Sequence, residues 1–293
     1  MSIFTGSAVA LITPFNDDLS VNYDKIKELV NWQIEEGTQA ILALGTTAET
    51  PTLTIEEQDK IVDLVIKEVN GRVPVIANAG SNCTEVSRQS AIKYEKMGAD
   101  ALLVITPFYN KTTMRGLIAH YTEIADAVHT PIIMYNVPGR TGMSFDYPTL
   151  AEISKHPNIA AVKAASGNMG LVVKCARCIN DGFNMYSGDD DITVPMMSVG
   201  GKGVISVLAN AAPAPVQKMC AAALDGDFAT AGAMQLKYLQ FINDLFIETN
   251  PIPVKEAMNM LGMNVGGYRL PLVPMQDGNR EKLRNTMKEL GLL

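Results

Sequence analysis

Lys163 lies near the end of the apolar run Ile159-Ala-Ala-Val-Lys-Ala-Ala165, where a charged ammonium is costly to desolvate. An ordinary lysine, with a pKa of ~10.4, is unprotonated only about once in 2,500 at pH 7. Burial that lowers the pKa toward ~7–8 makes the free amine abundant enough to attack a carbonyl. Position alone allows a second reading, a strand-end lysine that reaches solvent or pairs with a carboxylate. Tyr135 ends the run Pro131-Ile-Ile-Met-Tyr135 and opens the turn Asn136-Val-Pro-Gly-Arg-Thr-Gly142. It reads either as a core tyrosine with a satisfied hydroxyl or as a proton donor at a strand end. Arg140, in the Pro-Gly turn, offers a planar fork suited to a carboxylate, or a surface salt bridge. Gly45-Thr46-Thr47 offers backbone N–H groups and two hydroxyls to another carboxylate. This is an inventory for covalent amine chemistry on a carbonyl.

The elements that must hold these residues recur along the chain. Short β-rich apolar runs fall at residues 8–12, 40–44, 74–78, 101–105, 131–135, 159–163, 184–186 and 203–207. Their starts average about 28 residues apart, the length of a strand-loop-helix-loop unit. Between them, residues 24–36, 55–69, 114–128, 146–155 and 170–180 carry helical apolar spacing, and Thr54-x-x-Glu57 is a capping box with Gly71 as the stop. About eight such units in roughly 220 residues is the arithmetic of an α/β (β/α)8 TIM barrel. A doubly wound open sheet would normally stop at about five or six strands, and neither GxGxxG nor GxxxxGK[ST] occurs. Beyond Pro215 the β runs cease, and residues 229–248, 253–261 and 280–290 read as helices. We therefore expect a barrel with the active site over residues 1–224 and a C-terminal helical extension over 225–293. Reacting groups in such a barrel come from the C-terminal strand ends. Those ends hold Thr13, Gly45-Thr46-Thr47, Asn78, Tyr109, Tyr135-Asn136, Lys163 and Gly188-Asp189. They include no carboxylate dyad and no metal-ligand set.

Composition narrows the class further. Of 293 residues 47% are hydrophobic and only 19% charged, and the net charge is −7. That favours a well-filled core and argues against disorder. An acidic chain without a Lys/Arg cluster is a poor partner for nucleic acid or anionic membrane. The longest apolar runs are far short of the ~18 residues of a membrane span, and the start shows no signal peptide; the expected location is cytoplasmic. Cys175 and Cys178 form one CxxC pair without a second, on a helical pattern, so buried thiols are expected there. His120, His129 and His156 are isolated from one another. No metal site is expected.

Taken together, these segments resemble one family. Ser7-Ala-Val-Ala-Leu-Ile-Thr-Pro-Phe15, Gly45-Thr-Thr-Ala-Glu49, Thr106-Pro-Phe-Tyr-Asn110, Tyr135-Asn-Val-Pro-Gly-Arg-Thr-Gly142 and Val162-Lys-Ala-Ala-Ser166 carry the likeness. Ser187-Gly-Asp-Asp190, Asn250-Pro-Ile-Pro-Val-Lys255 and Arg269-Leu-Pro-Leu-Val-Pro274 extend it nearly end to end. The chain resembles the dihydrodipicolinate synthase family of pyruvate-dependent class I aldolases, a group that includes N-acetylneuraminate lyase. Ala48 stands where the family usually has glycine.

The resemblance implies that Lys163 forms an imine with pyruvate, whose enamine attacks L-aspartate 4-semialdehyde. It implies that Tyr135 is the general acid/base, with Thr46 and Tyr109 passing its proton on. Thr47, the backbone at Ile205 and Gly188 would bind substrate, and Arg140 the semialdehyde carboxylate. The positive imine is itself an electron sink, so no cofactor is expected. The tyrosine matching Tyr109 is donated across a tight dimer in this family, implying a homotetramer built of two such dimers. Two alternatives stay in view, a sister aldolase acting on a keto-sugar acid and a catalytically silent keto-acid-binding barrel. Finally, Ile55, Val86 and Phe108 replace the histidine, glutamate and tyrosine of lysine-sensitive members, so little feedback by L-lysine is expected.

Overall fold

The computed structural model describes residues 2–293. Among the described residues, eight parallel strands close into a barrel in sequence order: β1 (Gly6–Ala10), β2 (Ala40–Ala43), β3 (Val75–Asn78), β4 (Ala101–Ile105), β5 (Ile132–Asn136), β6 (Ile159–Ala164), β7 (Asn184–Ser187) and β8 (Gly203–Ser206). Strand β8 pairs back onto β1, with Ile205 opposite Ala8. Outside the strands run α1 (Tyr23–Glu35), α2 (Ile55–Val69), α3 (Thr84–Met97) and α4 (Met114–Ala125). They continue with the single turn α5 (Pro138–Thr141), then α6 (Tyr147–Ile153), α7 (Met169–Cys175), α8 (Thr193–Ser198) and α9 (Pro213–Leu224). Three helices follow: α10 (Phe228–Asp244), α11 (Ile252–Met260) and α12 (Asp277–Glu289). The fold is the expected (β/α)8 barrel with C-terminal helices.

The strands are apolar on both faces because a barrel buries both. Alternate residues divide between two cores. Ala8, Ala10, Ala40, Leu42, Ile76, Ala101, Leu103, Ile133, Ala161 and Ile205 fill the barrel's interior. Val9, Ile41, Val75, Leu102, Ile132, Met134, Val162 and Val204 join the layer between strands and helices. This period of two fixes the site: two residues beyond Ile133 comes Tyr135, and two beyond Ala161 comes Lys163. Both enter the uppermost interior layer. Phe4 closes the opposite end, stacked at 4.2 Å on Tyr186, whose hydroxyl donates to its carbonyl.

The Thr54 capping box forms both of its hydrogen bonds. The helix ends at Val69 as expected, with Asn70 in the left-handed region just before Gly71. Other expectations needed correction. Strand β1 begins and ends two residues early, because the Asn210 amide takes over the Ala10 carbonyl and the Ile12 N–H where a strand would continue. Helix α3 escaped the periodicity reading because its buried face is Ser87, Ala91 and Tyr94. Helices α8 and α9 were likewise not anticipated. The 170–180 pattern ends its α-helix at Cys175, with a tighter 3-10 turn over Ala176–Cys178. Both of its cysteines are free and buried, and burial pushes the Cys175 thiol up to about 12.

His120 of α4 is buried, with Nδ1 2.9 Å from the hydroxyl of Thr84 on α3. Its Nε2 has no partner among the described residues. Burial lowers its pKa from 6.5 to about 4. The unfolded chain therefore binds this proton over a window, about pH 6.5 to 4, where the folded chain does not, so stability falls as pH drops through it. At ~1.4 kcal/mol per unit, the loss is of order 3 kcal/mol. Urea unfolding at pH 7.5 and 4.5 should show a smaller acid loss in His120→Gln than in the parent; equal losses would place the effect elsewhere.

Candidate active site

Lys163 and Tyr135 are register partners on adjacent strands β6 and β5. The Lys163 ammonium lies 4.5 Å from the centre of the Tyr135 ring. Lys163 is only 5% exposed, and burial lowers its pKa to about 8 against the opposing pull of the Asp190 and Asp189 carboxylates. The Arg140 guanidinium reinforces the lowering. A pKa near 8 leaves about a tenth of the amine free at pH 7. Burial pushes Tyr135 up to about 12, although Arg140 and a hydrogen bond with the Thr46 hydroxyl favour its phenolate. The phenol therefore keeps its proton at neutral pH. A partly free amine beside a protonated phenol pairs a nucleophile with an acid.

The remaining expected residues are placed by loops. Thr46 and Thr47 begin a 3-10 turn after the extended Gly45, and the turn closes through Glu49 in the left-handed region. Thr13 is spent on this turn, donating to the Ala48 carbonyl at 2.7 Å. Thr50 adds hydrogen bonds to the carbonyls of Leu44 and Gly45. Asn78 accepts from the Gly80 N–H and so shapes its own turn. Arg140, exposed on α5, donates to the Asn250 carbonyl at 3.2 Å. Gly188 lies against the nucleophile: a Cβ there would come within 2.9 Å of Lys163 Cε and 2.7 Å of the Ala165 methyl. Its bareness makes room for the lysine stem. Ile205 is fully buried mid-strand.

Lys163, Tyr135, Thr46, Arg140 and Gly188 thus converge on one mouth. Tyr109 does not join them within the single chain. It is 92% exposed, and its backbone is left-handed (φ 65°), an uncommon state for a bulky residue.

Sequence reasoning missed three features. Asp190 is buried under the site, accepting from the Ser206 hydroxyl and from the N–H groups of Val207 and Leu208. It lies in a run of three aspartates, and only the fold distinguishes the buried one. Glu49 and Lys255 form a fully buried ion pair at 2.7 Å, which ties the Thr46–Thr47 turn to the C-terminal segment. Asn250 donates from Nδ2 to the Thr47 hydroxyl at 3.1 Å. These last two residues belong to the Asn250–Lys255 motif, whose side-chain partners lie some 200 positions earlier.

Fold and site together define the class: a (β/α)8 barrel that presents a buried, partly deprotonated lysine at the C-terminal ends of its strands. The sequence model of the dihydrodipicolinate synthetase family matches residues 3–290. The chain is 51% identical over 294 residues to the 4-hydroxy-tetrahydrodipicolinate synthase of Thermoanaerobacter sp. (strain X514), spanning 100% of this chain and 99% of that one. Among solved structures, the dihydrodipicolinate synthase of Aquifex aeolicus superposes with a TM-score of 0.96 at 42% identity, covering 99% of each chain. The chloride-inhibited enzyme of Acinetobacter baumannii, complexed with pyruvate, gives 0.96 at 40% identity, again over 99% of each chain. The chain belongs to the dihydrodipicolinate synthetase family.

Proposed function

We propose that this chain condenses pyruvate with L-aspartate 4-semialdehyde, the reaction of a 4-hydroxy-tetrahydrodipicolinate synthase in lysine (diaminopimelate) biosynthesis. The observation that carries the reading is the buried Lys163 amine, held near neutrality against the protonated Tyr135. The amine adds to the pyruvate ketone and water leaves, giving an imine. Loss of a methyl proton makes an enamine that attacks the semialdehyde's aldehyde carbon. The substrate amine then displaces Lys163 as the ring closes. Tyr135 exchanges protons at these steps, with Thr46 next in line. Thr47, Gly188 and the backbone at Ile205 bind pyruvate, and Arg140 takes the second carboxylate. That exposed guanidinium favours this substrate over a keto-sugar acid, which presents hydroxyls there. The chain's own residues supply the chemistry, so the reading assigns no cofactor.

The projection of Tyr109 supports the reading that it completes the relay of a neighbouring subunit. The assembly proposed is a homotetramer of tight dimers, with neither nucleic acid nor membrane as partner. Among the described residues no helix is long and apolar enough to cross a membrane, in keeping with the cytoplasmic location proposed. A coupled assay supplying both substrates tests the function. Turnover only when both are present supports it; cleavage of a keto-sugar acid, or binding of pyruvate without turnover, overturns it.

Feedback by the end product should be weak. Ile55, Val86 and Phe108 are exposed apolar side chains, and an ammonium facing valine in place of a carboxylate loses a contact worth about 1.5–3 kcal/mol. Titrating L-lysine at subsaturating pyruvate should give no half-inhibition below roughly 1 mM, a binding free energy of about −4.1 kcal/mol. Half-inhibition at lower concentration would contradict this.

A further inference from the structure

One residue touches both carboxylate-binding elements, through different atoms. Asn250 lies between α10 and α11 and is 5% exposed. Its backbone carbonyl accepts from Arg140 Nη2 at 3.2 Å. Its side-chain Nδ2 donates to Thr47 Oγ1 at 3.1 Å. A hydroxyl carries one proton and accepts through its lone pairs. Because the amide occupies a lone pair, the Thr47 proton is left for another acceptor, and no side chain or carbonyl among the described residues takes it. The Asn250 Oδ1 is buried and also lacks a partner among the described residues. Buried polar groups are nearly always paired, and an exception calls for a reason. Here the amide leaves one of its own acceptors unpaired while it fixes a neighbour's hydroxyl.

We infer that Asn250 is a positioning residue: its side chain sets the polarity of the Thr47 hydroxyl so that it donates to the pyruvate carboxylate, while its backbone separately seats Arg140. The inference rests on the proposed substrates. It extends the site to the C-terminal segment and makes pyruvate binding depend on a residue that need not touch pyruvate.

Aspartate and alanine at position 250 separate this role from simple packing. Ionised aspartate has nearly the shape of asparagine but only accepts, so it takes the Thr47 proton and adds a negative charge beside the substrate carboxylate. In Asn250→Asp the KM for pyruvate should rise roughly ten- to a hundred-fold, the size of a lost charge-assisted hydrogen bond. Asn250→Ala should raise it less. In that variant the KM for the semialdehyde should stay near its original value, because the carbonyl holding Arg140 is retained. A structural role predicts the opposite order, since aspartate fills the space and alanine leaves a cavity. That order, or equal rises in both KM values, would overturn the inference. Thr47→Val provides a test independent of the folding of the Asn250 variants: it should raise the pyruvate KM alone, and an unchanged value overturns the proposal. Borohydride trapping of pyruvate on the parent enzyme separates the two levels. No adduct on the parent overturns the proposed function; a normal adduct on both the parent and Asn250→Asp at low pyruvate overturns only the positioning role.

Discussion

Borohydride added together with pyruvate should inactivate the enzyme and leave one reduced pyruvyl adduct on the peptide that carries Lys163, with no other lysine labelled. Lys255, equally buried, makes a useful internal contrast. Burial lowers its pKa too, but its ammonium is paired with Glu49 at 2.7 Å and also donates to the Gly267 carbonyl, and the Glu49 carboxylate opposes the lowering through direct contact. Among the described residues no carboxylate forms an ion pair with Lys163, and burial brings it to about 8. The kcat/KM for pyruvate should therefore rise with pH and level off above about 8, because only the free amine attacks. Lys163→Ala should fold and lose activity by about 10³-fold or more, since nucleophile and electron sink disappear together. Gly188→Ala leaves the amine in place but puts a methyl 2.9 Å from Lys163 Cε. A misplacement of about 1 Å is worth as much as 10² in rate, so imine formation should slow without abolition. Label on a different lysine, or none, would remove Lys163 from the role.

Much of this arrangement was legible in the residues. The eight apolar runs predict eight strands because a barrel buries both faces, and the alternation within β5 and β6 carries Tyr135 and Lys163 to the inner layer. The capping box at Thr54 forms as written. What stayed hidden was long-range side-chain pairing. Nothing near Glu49 signals that its partner is Lys255, and nothing near Thr47 points to Asn250. Nor does periodicity identify a helix such as α3, whose inward face is small and polar. Thr13, a strand-end hydroxyl and so a candidate on position alone, is consumed by the Ala48 carbonyl. Position at a strand end is necessary for a role in this site but not sufficient; the remaining hydrogen-bonding capacity decides.

That criterion sharpens the expectation for Tyr135. Its phenol is pushed up to about 12 by burial, so it reaches the reaction with its proton in place, able to donate and then recover that proton from Thr46. Tyr135→Phe removes the hydroxyl but keeps the ring that Lys163 lies over at 4.5 Å, so packing should survive and thermal unfolding should barely shift. Turnover should fall roughly 10²-fold or more, the usual worth of a positioned acid/base. The imine should still form with pyruvate, only more slowly. Thr46→Val should cost a similar factor if the two hydroxyls act in series. The double variant should then be little worse than either single one, because members of one relay are not additive. Independent losses that multiply would argue for two separate functions. Tyr109→Phe belongs in the same series, with sedimentation alongside the kinetics, since so exposed a side chain also serves as a subunit contact if it reaches a neighbour's site. A relay predicts loss of turnover with the assembly intact. Near-normal turnover in Tyr135→Phe would defeat the whole scheme, because Tyr135 is the tyrosine whose ring the Lys163 ammonium overlies among the described residues.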